Sequence, residues 1–282
     1  MQAPKSPFFH AGIDAGLALS VVVPVKDEAE NVVPLTEEIV AAVKDLGRFE
    51  ILFVDDGSAD ETAARLRQLA LKLPELRVLS LAENCGQSAA IRFGVEQARA
   101  PTVATLDGDG QNDPADLPRL VERLWSAPAE ARLGMVSGRR VRRQDSWKKR
   151  MSSRRANGVR RAVLDDGAED TSCGLKAFWR GLFLQLPPFD HMHRFLPALV
   201  KREGWRLDYI DVNHRPRLRG ASKYGIGNRL WVGLVDLLGV AWLMRRRRVR
   251  PRLAHPAAKL AETPERDAAD AGVALPQEDL RT

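Results

Sequence analysis

The stretch Ile51-Leu52-Phe53-Val54-Asp55-Asp56-Gly57-Ser58 decides how this chain is read. Four apolar residues end abruptly in two carboxylates and a glycine, the pattern of a strand buried on both faces that emerges at a sheet edge. Thr102-Val103-Ala104-Thr105-Leu106 ends in the same way, in Asp107-Gly108-Asp109. Four acids at two such edges repel one another strongly without a compensating cation or hydrogen-bond donors. In an open α/β sheet, ligands sit outside the carboxyl ends of the strands. The sequence therefore places acidic oxygens where a nucleotide and a divalent metal can bind.

Working outward, strands and helices alternate. A β-branched run at 19–23 ends at Pro24, and helical spacing follows over 32–46, with Pro34 near its start and Gly47 past its end. After the strand at 49–54, Ser58-Ala59-Asp60-Glu61 reads as a capping box opening a helix through Leu73. A strand at 77–81, a helix at 88–98, a strand at 102–106 and a helix at 114–125 continue the pattern. This alternation predicts a largely parallel sheet covered on both faces. Beyond Arg132 the pattern loosens: strands are expected at 133–137, 173–178 and 205–212, a helix at 195–202, and a mobile Arg- and Lys-rich loop within 139–161.

The chain has 282 residues, 44% of them hydrophobic, enough for one moderately large domain with appendages. Its net charge of +7 favours acidic partners: phosphates, nucleic acid or anionic lipid. Two distant cysteines, Cys85 and Cys173, make neither a disulfide framework nor a zinc site and fit a reducing compartment. No basic segment followed by an apolar run opens the chain, so a secretory leader is not expected. Residues 1–16 read as a flexible tail and 251–282 as a disordered one.

Residues 230–244 are almost wholly apolar, broken by Asp236, and four arginines follow, Arg245 to Arg248. A bilayer span needs about 20 apolar residues. An interfacial helix is the expectation, its arginines on anionic headgroups and Trp231 and Trp242 at the interface. The blander reading is a helix packed on the domain with a solvated basic end.

Some chemistries are excluded. There is no Gly-x-Gly-x-x-Gly after the first strand and no Walker-type loop, which disfavours a Rossmann dehydrogenase and a P-loop. An EF-hand loop starting at Asp107 wants Gly sixth and Glu twelfth, but Asn112 and Pro118 stand there. What survives is a hard cation held by one or two carboxylates plus diphosphate oxygens, as Mg²⁺ or Mn²⁺ sits on a nucleotide. A lone Asp-x-Asp is weak, since many are solvated turns. Its place at a strand end, after an earlier Asp-Asp-Gly-Ser, strengthens it.

Several motifs follow in order: Val22-Val23-Pro24 with Asp27-Glu28; Val54-Asp55-Asp56-Gly57-Ser58 with Asp60 and Thr62; Asn84-Cys85-Gly86-Gln87 with Ala89-Ala90; Asp107-x-Asp109-x-Gln111 with Asp113-Pro114. Then come Asp170-Thr171-Ser172-Cys173-Gly174-Leu175-Lys176, His193-Arg194-Phe195-x-Pro197, and Arg217-x-x-Gly220-x-Ser222-Lys223-Tyr224. Over roughly 19–229 the chain resembles glycosyltransferase family 2 enzymes of GT-A fold, most closely the dolichyl-phosphate mannose synthase and polyprenyl-phosphate glycosyltransferase branch. The resemblance implies an α/β fold with a central, mostly parallel sheet, helices on both faces and a C-terminal amphipathic helix. It divides the chain into a catalytic domain at 17–225 and a membrane-associated helix at 226–250. Two departures are Lys26, where relatives often carry Tyr, Ala or Phe, and Cys85, in place of a common aromatic or His.

The resemblance also implies roles. Pro24, Val25, Glu28, Asp55, Asp56, Asn84, Gln87 and Asp107 would bind the nucleotide sugar, Asp56 facing the base or ribose. Asp107, Asp109 and Gln111 would hold Mg²⁺ or Mn²⁺. Arg139, Arg217, Ser222 and Lys223 would contact the acceptor phosphate. Catalysis would rest on Asp107 and Asp109, with Asp170 as a base if the acceptor were a sugar hydroxyl. His193 and His214 lack ligand spacing and are expected in structural hydrogen bonds.

The function so implied is inverting transfer of a hexose, mannose as the nearest-family guess, from a nucleotide sugar (GDP-mannose or a UDP-sugar) to a polyprenyl phosphate. It would take place at the cytoplasmic face of a membrane. Transfer to a lipid-linked saccharide or surface polysaccharide is the alternative, and a non-catalytic nucleotide-sugar binder the rival from another class. A nucleic-acid partner is not expected, because no aromatic-and-basic reading motif accompanies the charge.

Overall fold

The computed structural model describes residues 13–14, 16–141, 158, 160, 163–216 and 229–246. Its centre is a seven-stranded sheet of order β3-β2-β1-β4-β6-β5-β7. The strands are β1 (Leu19–Val25), β2 (Phe49–Asp55), β3 (Leu76–Ser80), β4 (Thr102–Thr105), β5 (Leu133–Arg140), β6 (Lys176–Trp179) and β7 (Arg206–Val212). β6 alone runs against its neighbours β4 and β5; every other pairing is parallel. Val21, Val22, Val23, Ile51, Leu52 and Phe53 are all fully buried. Only a sheet covered on both faces accepts runs so continuously apolar.

The helices are α1 (Val32–Val43), α2 (Thr62–Ala70), α3 (Gln87–Gln97), α4 (Leu117–Trp125), α5 (Arg180–Phe183), α6 (Leu196–Arg202) and α7 (Arg229–Arg245). α1 packs against α2 and α4, while α3 lies on β1 and β2 and joins the turn that leads into α6. A Cβ on Gly94 of α3 would lie 2.5 Å from the Val22 side chain and 2.9 Å from that of Val54. A glycine there brings the helix backbone down onto the sheet, as close packing requires.

β1 pairs with β2 on one side and β4 on the other, Val25 opposite Asp55 and Val22 opposite Thr105. The chain reverses direction across the sheet at this point, so a crevice opens beyond the carboxyl ends of these three strands. Both acidic stretches end there.

α7 buries Leu237, Val240 and Ala241 against the domain. Its opposite side presents Leu234, Val235, Leu238 and Trp242, all exposed. The described part of the helix is thus apolar on two sides. Among the described residues, no helix is long and apolar enough to cross a membrane. Within the tail expected at 1–16, the Asp14 amide donates to the Arg99 carbonyl at 3.0 Å. Residues 1–12, most of the basic loop within 139–161, and 251–282 lie outside the described residues.

Candidate active site

Loops at the strand ends are stitched together before any ligand enters. Asp27, with a left-handed φ of 46°, donates its amide to Ser58 Oγ at 2.8 Å and accepts from the Ala59 amide at 2.7 Å. The Glu28 amide donates to Thr62 Oγ1 at 2.8 Å, and the Ala29 amide to Asp60 at 3.2 Å. Ser58 and Asp60 therefore tie the β2 loop to the β1 loop. The capping-box reading fails: α2 begins at Thr62, and Ser58 holds Asp27 rather than the helix start.

The two acids closing β2 separate as strand alternation demands. Asp55 turns back to accept the Ser58 amide at 3.0 Å and does not line the cavity. Asp56 accepts the amides of Cys85 at 2.6 Å and Gly86 at 3.0 Å, folding the 84–86 loop over the strand ends. Gly57, with φ 68°, makes that approach possible: a Cβ there would lie 2.9 Å from the Asn84 nitrogen.

A cavity of about 410 Å³ results, lined by Pro24, Val25, Glu28, Asp56, Asn84, Gln87, Asp107 and Asp109. Eight residues expected to hold donor or metal thus come together. Lys26, Gly86 and Gly108 complete the lining. Lys26 was not expected in the site. Its ammonium lies 3.4 Å from the carbonyl oxygens of Asp56 and Gly57, and its place just past β1 was the signal for it. A Cβ on Gly108 would fall 2.4 Å from the Val25 side chain, so only glycine lets the 107–109 turn lie against β1.

Asp107 is the electrostatic centre. Burial and the neighbouring Asp109 charge push its carboxyl up to about 6, against the pull of Lys176, Arg140 and the Gln87 side chain. Gln87 donates to it at 2.8 Å. A half-buried acid facing a second acid favours a cation, and two hard carboxylate oxygens suit Mg²⁺ or Mn²⁺. Among the described residues no cluster of three or more His, Cys, Asp or Glu could hold a metal. Asp107 and Asp109 would therefore share the ion with ligand oxygens, as Mg²⁺ usually does with phosphates. Gln111 does not join them. Its backbone amide donates to Asp109 at 3.1 Å, and its side chain reaches the Arg215 carbonyl at 3.5 Å.

A second cavity of about 420 Å³ shares Gln87 and Asp107 with the first. Thr171, Ser172, Gly174, Lys176, His193 and Arg194 contribute to its wall. Lys176 is buried and donates to the Cys173 carbonyl. Burial and its cationic neighbours, Arg194 first, push the His193 imidazole down to about 3, so it is neutral. As expected of a structural histidine, it bonds Ser88 Oγ, through Nδ1, at 2.6 Å. His214 pairs with Asn112 in an isolated bridge.

Two residues with expected roles are engaged by protein partners. Asp170 is buried and lines neither cavity; Arg140 grips its carboxylate at 2.7 and 2.8 Å, and the Ser172 amide adds a bond at 3.2 Å. A carboxylate so engaged is no free base. Arg139 is equally committed, to Asp211 at 2.5 Å and to Glu169, on the outside of the sheet edge. Arg217, Ser222 and Lys223 lie outside the described residues. Lys176 and Arg194, the cations found beside the acid-rimmed cavity, stand in the sequence only as members of motifs.

Comparison with known proteins agrees with this geometry. The model of Glycosyl transferase family 2 matches residues 20–186. Dodecaprenyl-phosphate galacturonate synthase of Rhizobium johnstonii is 35% identical over 81% of this chain and 68% of its own length. Undecaprenyl-phosphate 4-deoxy-4-formamido-L-arabinose transferase of Edwardsiella ictaluri is 36% identical over 74% of this chain, which spans 63% of that relative. Among solved structures, glucosyl-3-phosphoglycerate synthase from Mycobacterium tuberculosis, in complex with Mn²⁺, uridine diphosphate and phosphoglyceric acid, shares the fold. Its TM-score is 0.61 at 20% identity, covering 82% of this chain and 79% of that one.

Proposed function

The chain belongs to glycosyl transferase family 2, and from that premise we propose that it moves a sugar from a nucleoside diphosphate to a polyprenyl phosphate at a membrane surface. One observation carries this reading: the acid-rimmed cavity adjoins a second, cation-bearing one through Asp107 and Gln87. The first cavity fits a donor whose diphosphate shares a divalent cation with Asp107 and Asp109. The second offers an anionic acceptor a seat on the sugar's far side.

The chemistry follows from that placement. Attack from the far side of the sugar inverts the anomeric carbon. A bound divalent cation would stabilise the departing diphosphate. Gln87 holds the Asp107 carboxylate, and the 84–86 loop held by Asp56 closes over the nucleotide. A phosphate acceptor has a second pKa of about 6 and is ionised near neutrality, so it needs no protein base. The engagement of Asp170 by Arg140 is consistent with a reaction that requires none.

Mannose, expected from the resemblance, is the sugar in neither relative's name. A uronate, an amino-pentose derivative or a neutral hexose all remain candidate donors. Radiolabelled transfer to undecaprenyl and dolichyl phosphates settles this, with GDP-mannose, UDP-glucose and UDP-galacturonate as donors and Mg²⁺, Mn²⁺ or EDTA present. Metal-dependent incorporation from one donor supports the proposal. Nucleotide-sugar binding without transfer to any acceptor makes the chain a binder instead.

A further inference from the structure

The second cavity holds a cation that the described residues leave uncommitted. Most arginines around the domain are bound: Arg140 by Asp170, Arg160 by Asp166, Arg202 by Glu203, and Arg215 by Glu38 and Asp113. Buried Arg180 is bound too, to the carbonyls of Val95 and Glu96. Lys176, in the same cavity as Arg194, has the charges of Asp107 and Asp170 beside it. Arg194 is half-buried and lines the cavity. Its guanidinium makes no hydrogen bond or ion pair to any described residue.

The turn that carries Arg194 is nevertheless rigid. Met192–Arg194 is a tight 3₁₀ turn, its amides donating to Phe189 at 3.2 Å and His191 at 3.0 Å. Ser88, at the start of α3, bonds both the His193 ring and the His193 amide. Neutral His193 leaves the positive charge at this wall to Arg194 and Lys176. A guanidinium held ready in a cavity without a carboxylate partner is arranged for an incoming oxyanion, which its planar fork grips with two parallel bonds.

We propose that Arg194 is a substrate-binding residue that receives an anionic oxygen group in the second cavity. That group is either the phosphate of a prenyl phosphate acceptor or a carboxylate on the donor sugar. The proposal rests on the transferase reading and deepens it. It also gives the anion a seat inside the described fold, where Arg139 cannot supply one.

Calorimetric binding to the full chain with Mn²⁺ tests it, using three probes: farnesyl phosphate in detergent, UDP-galacturonate and UDP-galactose. Arg194→Gln is expected to weaken one of the two anionic probes about 10- to 100-fold, as loss of a charge-assisted bond does. UDP-galactose should change less than twofold. Loss for farnesyl phosphate assigns Arg194 to the acceptor, and loss for UDP-galacturonate alone assigns it to the sugar carboxylate. Arg194→Lys keeps the charge but not the fork and should fall between wild type and Arg194→Gln. If Arg194→Gln does not fold, a lysine variant losing about tenfold on the same probe supports the assignment. Unchanged affinity for both anionic probes, equal loss for all three, or a wild type that binds neither anionic probe overturns it. Wild type that binds these probes but transfers no sugar would sink the transferase reading and leave this comparison standing.

Discussion

At the scale of single residues, the site is defined by how closely atoms approach Asp107. A Cβ on Gly174 would stand 2.3 Å from Asp107 Oδ2 and 2.5 Å from Asn112 Oδ1. The Asp107 side chain is short and is pinned by Gln87, so it cannot swing away cheaply. Gly174→Ala should displace the carboxylate and cut metal-dependent transfer about 10- to 100-fold, since small misplacements of reacting groups cost that much. Unfolding temperature and Mn²⁺ titration separate this from collapse of the fold, whose expected cost is about 1–3 kcal/mol for overpacking. Asp109→Ala should reduce transfer at least about 100-fold with the fold retained. Unchanged turnover in that variant would refute the metal assignment. Asp170 makes the contrast: Asp170→Asn weakens the grip on Arg140 and should lower stability without moving the acid limb of the pH–rate profile. A profile that loses its acid limb would restore Asp170 as the base.

At the scale of elements, one buried carboxylate ties the parallel core together. Glu50 on β2 accepts from Ser20 on β1 at 2.7 Å, from the Arg99 amide at 2.6 Å and from Arg77 on β3 at 2.8 Å. Burial alone would raise its pKa, but these donors outweigh burial and hold it below 4.5. A depressed carboxylate contributes stability that is complete above its unfolded value and is lost as pH falls through the folded one. Glu50→Gln should therefore cost about 1–3 kcal/mol at pH 7, and the gap to wild type should close only below about pH 4.5. Thermal unfolding of both proteins across pH 3–7 checks the sign; a gap that widens on acidification would contradict it. None of this was legible from periodicity, which reads Glu50 as a polar residue in a strand. Periodicity did locate each strand and helix of the parallel half, because runs such as Val21-Val22-Val23 can only be covered on both faces. It missed α5, whose Arg180 caps the α3 carbonyls across the fold, and read Ser58 as a cap when its partner lies 31 residues away. The acid-rimmed cavity was readable because its residues sit at strand ends. Asp55, Gln111, Arg139 and Asp170 all bond protein partners, and local sequence does not say which neighbour claims a polar side chain.

At the scale of the whole molecule, the outward side of α7 bears on the proposed membrane contact. Its inner side is fastened by more than apolar contact: His191 bonds Asp236 at 3.0 Å, and Arg202 donates to the Leu243 carbonyl at 3.0 Å. The single acid of an apolar helix is thus consumed inward, which leaves Leu234, Val235, Leu238 and Trp242 facing out together. The Arg246 guanidinium lies 5.1 Å from the Trp242 ring, so a cation and an interface-seeking indole share the end of that stripe. Water is a poor partner for such a surface, and a bilayer interface with anionic headgroups is a good one. The same turn carries His191 and Arg194, so the docked helix and the second cavity are built on one rigid piece. Leu234→Glu combined with Leu238→Glu should lower sedimentation with anionic liposomes about tenfold or more, each buried side chain being worth about 1.5–3 kcal/mol of transfer. Transfer to a soluble farnesyl phosphate should stay near wild type, because neither leucine lines either of these two cavities. Asp236→Asn should leave liposome binding intact while loosening the helix from His191, seen as faster amide exchange across α7. Equal sedimentation of the double variant and wild type would show that the outward stripe does not meet the membrane.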